Sequence, residues 1–166
     1  DMVNKAGIGT GHTVLEPSAG NGAILEAIVK MAPYRGGTVA VELDASRIPK
    51  LRSKFKSVEL INSDFLTLVD KPGFDRIVMN PPFRNGQDVA HVRHAYRFCL
   101  KPGGRIVAIT APGWTFRSDR KHSEFRAWIE SHGDSWEIPE GTFKESGTDI
   151  RTMMVVIDKP VSETPE

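Results

Sequence analysis

Four consecutive residues, Asn80-Pro81-Pro82-Phe83, combine a side-chain amide, two rigid backbone units and an aromatic ring directly after an apolar run. The prolines hold the chain extended and aim the Asn80 amide oxygen and the Pro81 carbonyl in fixed directions. Two fixed acceptors suit one planar NH₂ group. An aromatic amine is a poor nucleophile because its lone pair is delocalised, and accepting both hydrogens favours the pyramidal nitrogen needed for attack. No strong general base is then required. Phe83 is expected to stack on the ring that bears the amine and to hold it in line with an electrophile. Taken alone, the same four residues also make a turn with Phe83 in the core.

A second group lies between the first apolar run and the first helical pattern, at Glu16-Pro17-Ser18-Ala19-Gly20-Asn21-Gly22. Gly20 and Gly22 let the chain turn tightly and let a ligand approach the main chain. A dinucleotide fingerprint would place a third glycine near position 25, which is leucine, and a phosphate loop would need Gly-Lys-Ser/Thr, which is absent. Glu16 and the lack of a lysine point instead to a ligand bearing an ammonium group. Roughly 20 residues after the glycines, Glu42 ends another apolar run, at the spacing of a carboxylate that accepts from both hydroxyls of a ribose. That identifies an adenosyl-type ligand. Asp64-Phe65 completes the set: the carboxylate is placed to accept from an adenine amino group, with Phe65 or Leu43 covering the ring. Asp64 also reads as a helix cap and Phe65 as a core residue.

The elements that position these groups alternate. Strands are expected at Thr13 to Glu16, Thr38 to Glu42, Val58 to Ile61, Asp75 to Met79 and Arg105 to Thr110, short and apolar like strands buried on both faces. Helical spacing runs over Ala23 to Met31, with Ile24, Ile28 and Met31 on one face, and over Gln87 to Leu100, with Val89, Val92, Tyr96 and Cys99 on one face. Ser46 to Lys54, with Pro49 allowed in its first turn, and Ser123 to His132 are further helices. This βαβ alternation predicts an α/β, doubly wound, Rossmann-like, mostly parallel sheet with right-handed crossovers. Trp136 to Ile138 and Met153 to Ile157 lack a helix between them and are expected to pair as an antiparallel hairpin at the sheet edge.

The chain has 166 residues and a net charge of +1, which fits one domain over residues 1–159 with a polar tail, 160–166, expected to fray. Met2-Val3, Ala6 and Ile8 have the pattern of the end of a helix whose start is missing, as in a trimmed fragment. No apolar stretch is long enough to cross a bilayer and no secretory pattern opens the chain. The single cysteine, Cys99, has no metal-ligand spacing around it, so metal and redox chemistry are not expected and a reducing, cytoplasmic setting is. His91 and His94 read as a solvated helix face rather than a ligand pair, and His12, His122 and His132 are read the same way. Charge is segregated: residues 84–126 carry +6 and residues 127–166 carry −6. A basic middle favours a polyanion such as nucleic acid, or is simply a solvated face balanced by the acidic tail.

On these motifs the sequence resembles the class I S-adenosylmethionine (SAM)-dependent methyltransferases, within them the amino-methylating group with an Asn-Pro-Pro-aromatic motif. Lys101-Pro102-Gly103-Gly104 resembles the turn before that family's fifth strand. Gly86-Gln87-Asp88-Val89 and Lys144-Glu145-Ser146-Gly147-Thr148 are similar to stretches of compact adenine-N6 DNA methyltransferases and of methyltransferase-like proteins of phages and mobile elements. The resemblance implies a seven-stranded sheet, SAM as donor, and a target base turned out of its helix into the pocket. It implies catalytic roles for Asn80, Pro81, Pro82 and Phe83, and cofactor contacts from Glu16 to Gly22, Glu42, Leu43, Asp64, Phe65 and Asn80.

Two departures from the family stand out: the segment that usually precedes the first strand is missing or shortened, and there is no separate target-recognition domain. A partner subunit or domain would then supply recognition, or nucleic-acid contacts would come from Arg84 to Gln87 and from Gly113 to His122. Trp114, Phe116, Arg117, Arg120 and Lys121 interleave aromatic and basic side chains, as a surface holding an unstacked strand needs. A basic loop with buried aromatics explains the same pattern. N6 of adenine in DNA is the leading target. An RNA base (adenine N6 or guanine N2), a protein glutamine, and a non-catalytic SAM- or nucleic-acid-binding module of a larger assembly are the alternatives.

Overall fold

The computed structural model describes residues 2–31, 37–71, 73–140 and 151–162. Seven strands form one sheet: β1 (Thr13–Glu16), β2 (Gly37–Glu42), β3 (Val58–Asn62), β4 (Phe74–Met79), β5 (Leu100–Thr110), β6 (Gly133–Ile138) and β7 (Thr152–Asp158), in the order β3-β2-β1-β4-β5-β7-β6. The first five are parallel; β7 runs antiparallel to β5, and β6 antiparallel to β7. The order reverses between β1 and β4, and open α/β sheets bind ligands outside the carboxyl ends of their strands at such a point.

Alternate residues feed opposite layers, as the two-residue period of a strand requires. Leu15, Ile77, Met79, Ile106 and Ala108 join the layer packed by α4 (Gln87–His94) and α5 (Arg120–His132). Val14, Val78, Val107 and Ile109 face the opposite layer, with Met2, Val3 and Ala6 of α1 (Met2–Ala6) and Ile28 of α2 (Ala23–Met31). Leu25, with Leu51 of α3 (Ile48–Lys54) and Phe55, fills a third cluster beside it.

Several expected boundaries move. In α2 the buried pair is Leu25 and Ile28, while Met31 is 52% exposed. The expected helix from Ser46 divides into a 3₁₀ turn, Ala45–Arg47, capped by Asp44, and α3, with Pro49 in its first turn. The helix expected to reach Leu100 stops being α-helical at His94 and widens into a π-turn, Ala95–Cys99, although Val89, Val92, Tyr96 and Cys99 are all buried. Leu100 already belongs to β5 and pairs with Phe74. The register then jumps so that Arg105 pairs with Arg76, and 101–104 bulge from the ladder rather than forming a turn ahead of the strand. α5 starts at Arg120, three residues earlier than expected, because the Asp119 side chain accepts the His122 N–H. Residues 144–148 and 163–166 lie outside the described residues, and with them one of the resembling stretches and most of the expected tail. Among the described residues no helix is long and apolar enough to cross a membrane.

Candidate active site

A cavity of about 460 Å³ opens at the reversal between β1 and β4. Pro17, Ser18 and Gly20 line it from the β1 loop, Glu42 and Leu43 from the end of β2, Asp64 and Phe65 from the end of β3, and Asn80 to Phe83 from the end of β4. Four segments far apart in the sequence thus meet at one mouth, because parallel strands all deliver their carboxyl ends to the same edge.

Glu42 ties two of these segments together. Its Oε1 accepts the Gly20 N–H at 2.6 Å and its Oε2 the Asp44 N–H at 2.8 Å, so each oxygen keeps a second lone pair for a ligand hydroxyl. Gly20 takes φ +56°, a left-handed conformation natural to glycine, and lines the cavity. Gly22 serves packing: a Cβ there would sit 2.6 Å from the Phe55 ring, so its missing side chain lets the loop lie on α3. Ala19 is buried and donates its N–H to the Val41 carbonyl; Asn21 accepts the Ala23 N–H at the start of α2. Neither lines the cavity.

Glu16 departs from expectation. It is fully buried beneath the loop, does not line the cavity, and accepts the Ser18 N–H through Oε1, while Oε2 has no partner. Burial pushes its carboxyl up to about 8; the Ser18 hydrogen bond opposes that rise and the nearby Glu42 charge adds to it. Phe65 lies in the core at 2% exposure, edge-on to His94, whereas Leu43 is 70% exposed at the rim, so the apolar cover for a ring falls chiefly to Leu43. Asp64 does cap a 3₁₀ turn, accepting the Leu66 N–H through Oδ1, and it still lines the cavity.

An adjacent cavity of about 440 Å³ shares Phe83 as a wall and is lined further by Asn85, Asp88, Phe116, Arg117 and His122. The loop expected to hold a strand therefore borders Phe83, with one correction. Trp114 is 3% exposed, donates its indole N–H to Thr110 Oγ1 and meets Phe125 edge-to-face, so it is a core residue that only borders this cavity. Phe116, 70% exposed, is the aromatic left for that role. Arg120 is engaged with Glu124, Lys121 donates to the Gly86 carbonyl, and Arg84 is exposed; none of the three lines either cavity.

Three contributors were not singled out from the sequence. Arg47 borders the first cavity, with Nη1 3.9 Å from Glu42 Oε1. His91, read as solvated, is buried and lines the same cavity; its Nδ1 donates to the Gln87 carbonyl, and burial lowers its pKa, which keeps the imidazole neutral. Asp88 is buried in the wall of the second cavity, where Oδ1 accepts the Val89 N–H and Oδ2 the Ala111 N–H at 2.8 Å. It fastens the segment after Phe83 to the loop after β5. A polar residue at an apolar helix position four from Val92 was the available signal. Among the described residues no three His, Cys, Asp or Glu side chains cluster so as to hold a metal ion, and the buried Cys99 thiol is pushed up to about 11.

The profile of the methyltransferase small domain family matches residues 3–118, more than half of the chain. This chain belongs to that family. The methyltransferase domain is 32% identical over 81 residues to the type II methyltransferase M.HincII of Haemophilus influenzae, covering 49% of this chain and 14% of that protein. It is 31% identical over 102 residues to a probable ribosomal RNA small subunit methyltransferase A of Methanosarcina acetivorans, covering 60% of this chain and 36% of the relative. Its fold is similar to that of the type I restriction-modification methyltransferase subunit from Streptococcus thermophilus, with a TM-score of 0.79, 20% identity, and coverage of 98% of this chain and 43% of that one. The domain thus spans well under two thirds of the length of these relatives.

Proposed function

We propose that this domain transfers a methyl group from SAM to an exocyclic amine of a nucleic-acid base, N6 of adenine in DNA being the first choice. The observation that carries the reading is the shared wall: Asn80 to Phe83 line the same cavity as Gly20 and Glu42, and Phe83 also borders the cavity of the Phe116 and Arg117 loop. A donor site and an acceptor site that meet at one residue is what group transfer needs.

The residues present fit SAM. Glu42 retains acceptor capacity where a ribose would lie, Asp64 and Leu43 suit an adenine, and the cavity falls in the size range of small-molecule sites. When bound, SAM supplies an electrophilic methyl group on a sulfonium sulfur. Asn80 Oδ1 and the Pro81 carbonyl would accept the two amine hydrogens, which draws the nitrogen lone pair out of conjugation and stabilises the positive charge that builds on nitrogen as its bond to the methyl carbon forms and the carbon–sulfur bond breaks, its electron pair leaving on a neutral thioether sulfur. Phe83 holds the base by stacking and excludes water from the line of attack. The amine proton leaves by way of the Asn80 oxygen to solvent.

The match to a ribosomal RNA methyltransferase over a longer stretch of the chain than the match to M.HincII favours RNA as the second reading. Transfer of labelled methyl from SAM to parallel pools of single-stranded DNA, duplex DNA, RNA and protein tests both. Label in adenine of a nucleic-acid pool is expected; label confined to protein would overturn the reading.

A further inference from the structure

A further cavity, of about 480 Å³, lies between α4, the π-turn and α5, bordered by Leu66, Arg93, His94, Arg97, Phe98 and Trp128. The Arg93 guanidinium lies 4.7 Å from the centre of the Trp128 ring and that of Arg97 5.0 Å from the centre of Phe98. Both rings are braced from behind. Trp128 meets Tyr96 edge-on and stacks near His132, and Phe98 packs on His94, whose Nε2 donates to the Leu68 carbonyl at 2.7 Å. Both arginines are exposed, and among the described residues neither forms an ion pair with a carboxylate.

A guanidinium laid on an aromatic face loses little further freedom on binding and keeps its N–H edge outward, in the planar fork that suits phosphate oxygens. Two such forks, four residues apart on one face, flank an aromatic groove, and the segment around them carries the +6 of residues 84–126. The π-turn gives a second, independent sign. A regular α-helix would have satisfied the apolar spacing, yet the chain adopts the rarer wide turn over Ala95–Cys99, a geometry that recurs at functional sites, and in doing so presents Arg97 and Phe98 to the groove. Leu66 borders both this groove and the first cavity, so the two are neighbours on the surface.

We propose that this groove docks the phosphodiester backbone of the nucleic-acid substrate outside the target nucleotide, a strand exosite separate from the catalytic pocket. It rests on the nucleic-acid reading above and adds to it a second contact site, on the α4 and α5 face. The exosite raises affinity without touching the reacting atoms.

The test measures binding of single-stranded oligonucleotides by the whole chain across a range of salt concentrations. The double variant Arg93→Gln/Arg97→Gln is expected to reduce the slope of log K against log salt by about 1.4, the loss of two single-strand phosphate contacts, with SAM affinity unchanged. In turnover, KM for the nucleic acid rises while kcat at saturation holds. Lys50→Gln/Arg52→Gln, which removes the same charge from exposed positions of α3, is expected to leave the slope alone. A wild-type slope in the first variant, or an equal loss in the second, overturns the exosite while leaving the methyltransferase reading intact. Competition by polyglutamate as strong as by single-stranded DNA of equal charge also overturns it and assigns the groove to an acidic protein. A wild-type chain that binds no nucleic acid brings down both readings.

Discussion

At the residue scale the proposed mechanism puts Asn80 and Phe83 against the reacting amine and Glu42 against the donor. Asn80→Ala removes one of two acceptors on the amine and is expected to lower kcat by about 10² to 10³, with SAM affinity unchanged by calorimetry. Glu42→Ala is expected to act the other way round, weakening SAM binding first, since its carboxylate braces Gly20 and Asp44 around the cavity. Glu16 gives a pH signature. Its carboxyl is raised from 4.5 to about 8 in the folded chain, so the folded state holds a proton that the unfolded chain releases. That contribution to stability is complete below about pH 4.5 and is lost as pH rises through about 8. Glu16→Gln, which keeps the shape and cannot ionise, should therefore gain stability relative to the wild type as pH rises across that window. Paired thermal melts at pH 5 and pH 8 without ligand check it; a constant difference between the two proteins at both pH values would contradict it.

At the element scale the sheet was legible because its signal is local: Val14-Leu15, Ile77-Val78-Met79 and Ile106 to Ile109 are apolar on both faces, which only a buried strand requires. The place of Asn80 to Phe83 and of Glu42 at the mouth of the sheet was legible for the same reason, each ending such a run. Other features depend on contacts distant in sequence. Trp114 looked available because it sits among basic residues, but its ring closes on Phe125 and Thr110. His91 looked solvated because its neighbours are charged, but the helix turns it into the wall of the first cavity. Nothing in the spacing of Tyr96 and Cys99 distinguishes a π-turn from an α-helix that continues to Leu100. Asp88 is the strongest test of an inter-element link. Asp88→Asn leaves one oxygen for two backbone N–H donors and faces an NH₂ toward the other, at an expected cost of about 1 to 3 kcal/mol. The loop after β5 should then loosen, read as faster amide exchange at Ala111 and a lower kcat with unchanged SAM affinity. Protection at Ala111 equal to the wild type would remove Asp88 from the account.

At the scale of the whole molecule, charge and topology act together. The parallel strands bring the two adjacent cavities to one edge, while the basic segment 84–126 supplies the Arg117 loop and the α4 groove, and the acidic segment 127–166 follows it. Nucleic-acid affinity should accordingly fall steeply between about 50 and 200 mM salt, whereas SAM affinity should change little. Filter binding and calorimetry at matched salt concentrations separate the two; equal salt sensitivity would mean that the basic segment is not a nucleic-acid surface. The measurement that bears most directly on the central claim is identification of the methylated nucleoside after the chain is incubated with SAM and nucleic acid and the product is digested. The account predicts N6-methyladenine from the wild type and none above background from Asn80→Ala of undiminished SAM affinity. Transfer by Asn80→Ala at the wild-type rate, or a methyl group found on carbon, would contradict it.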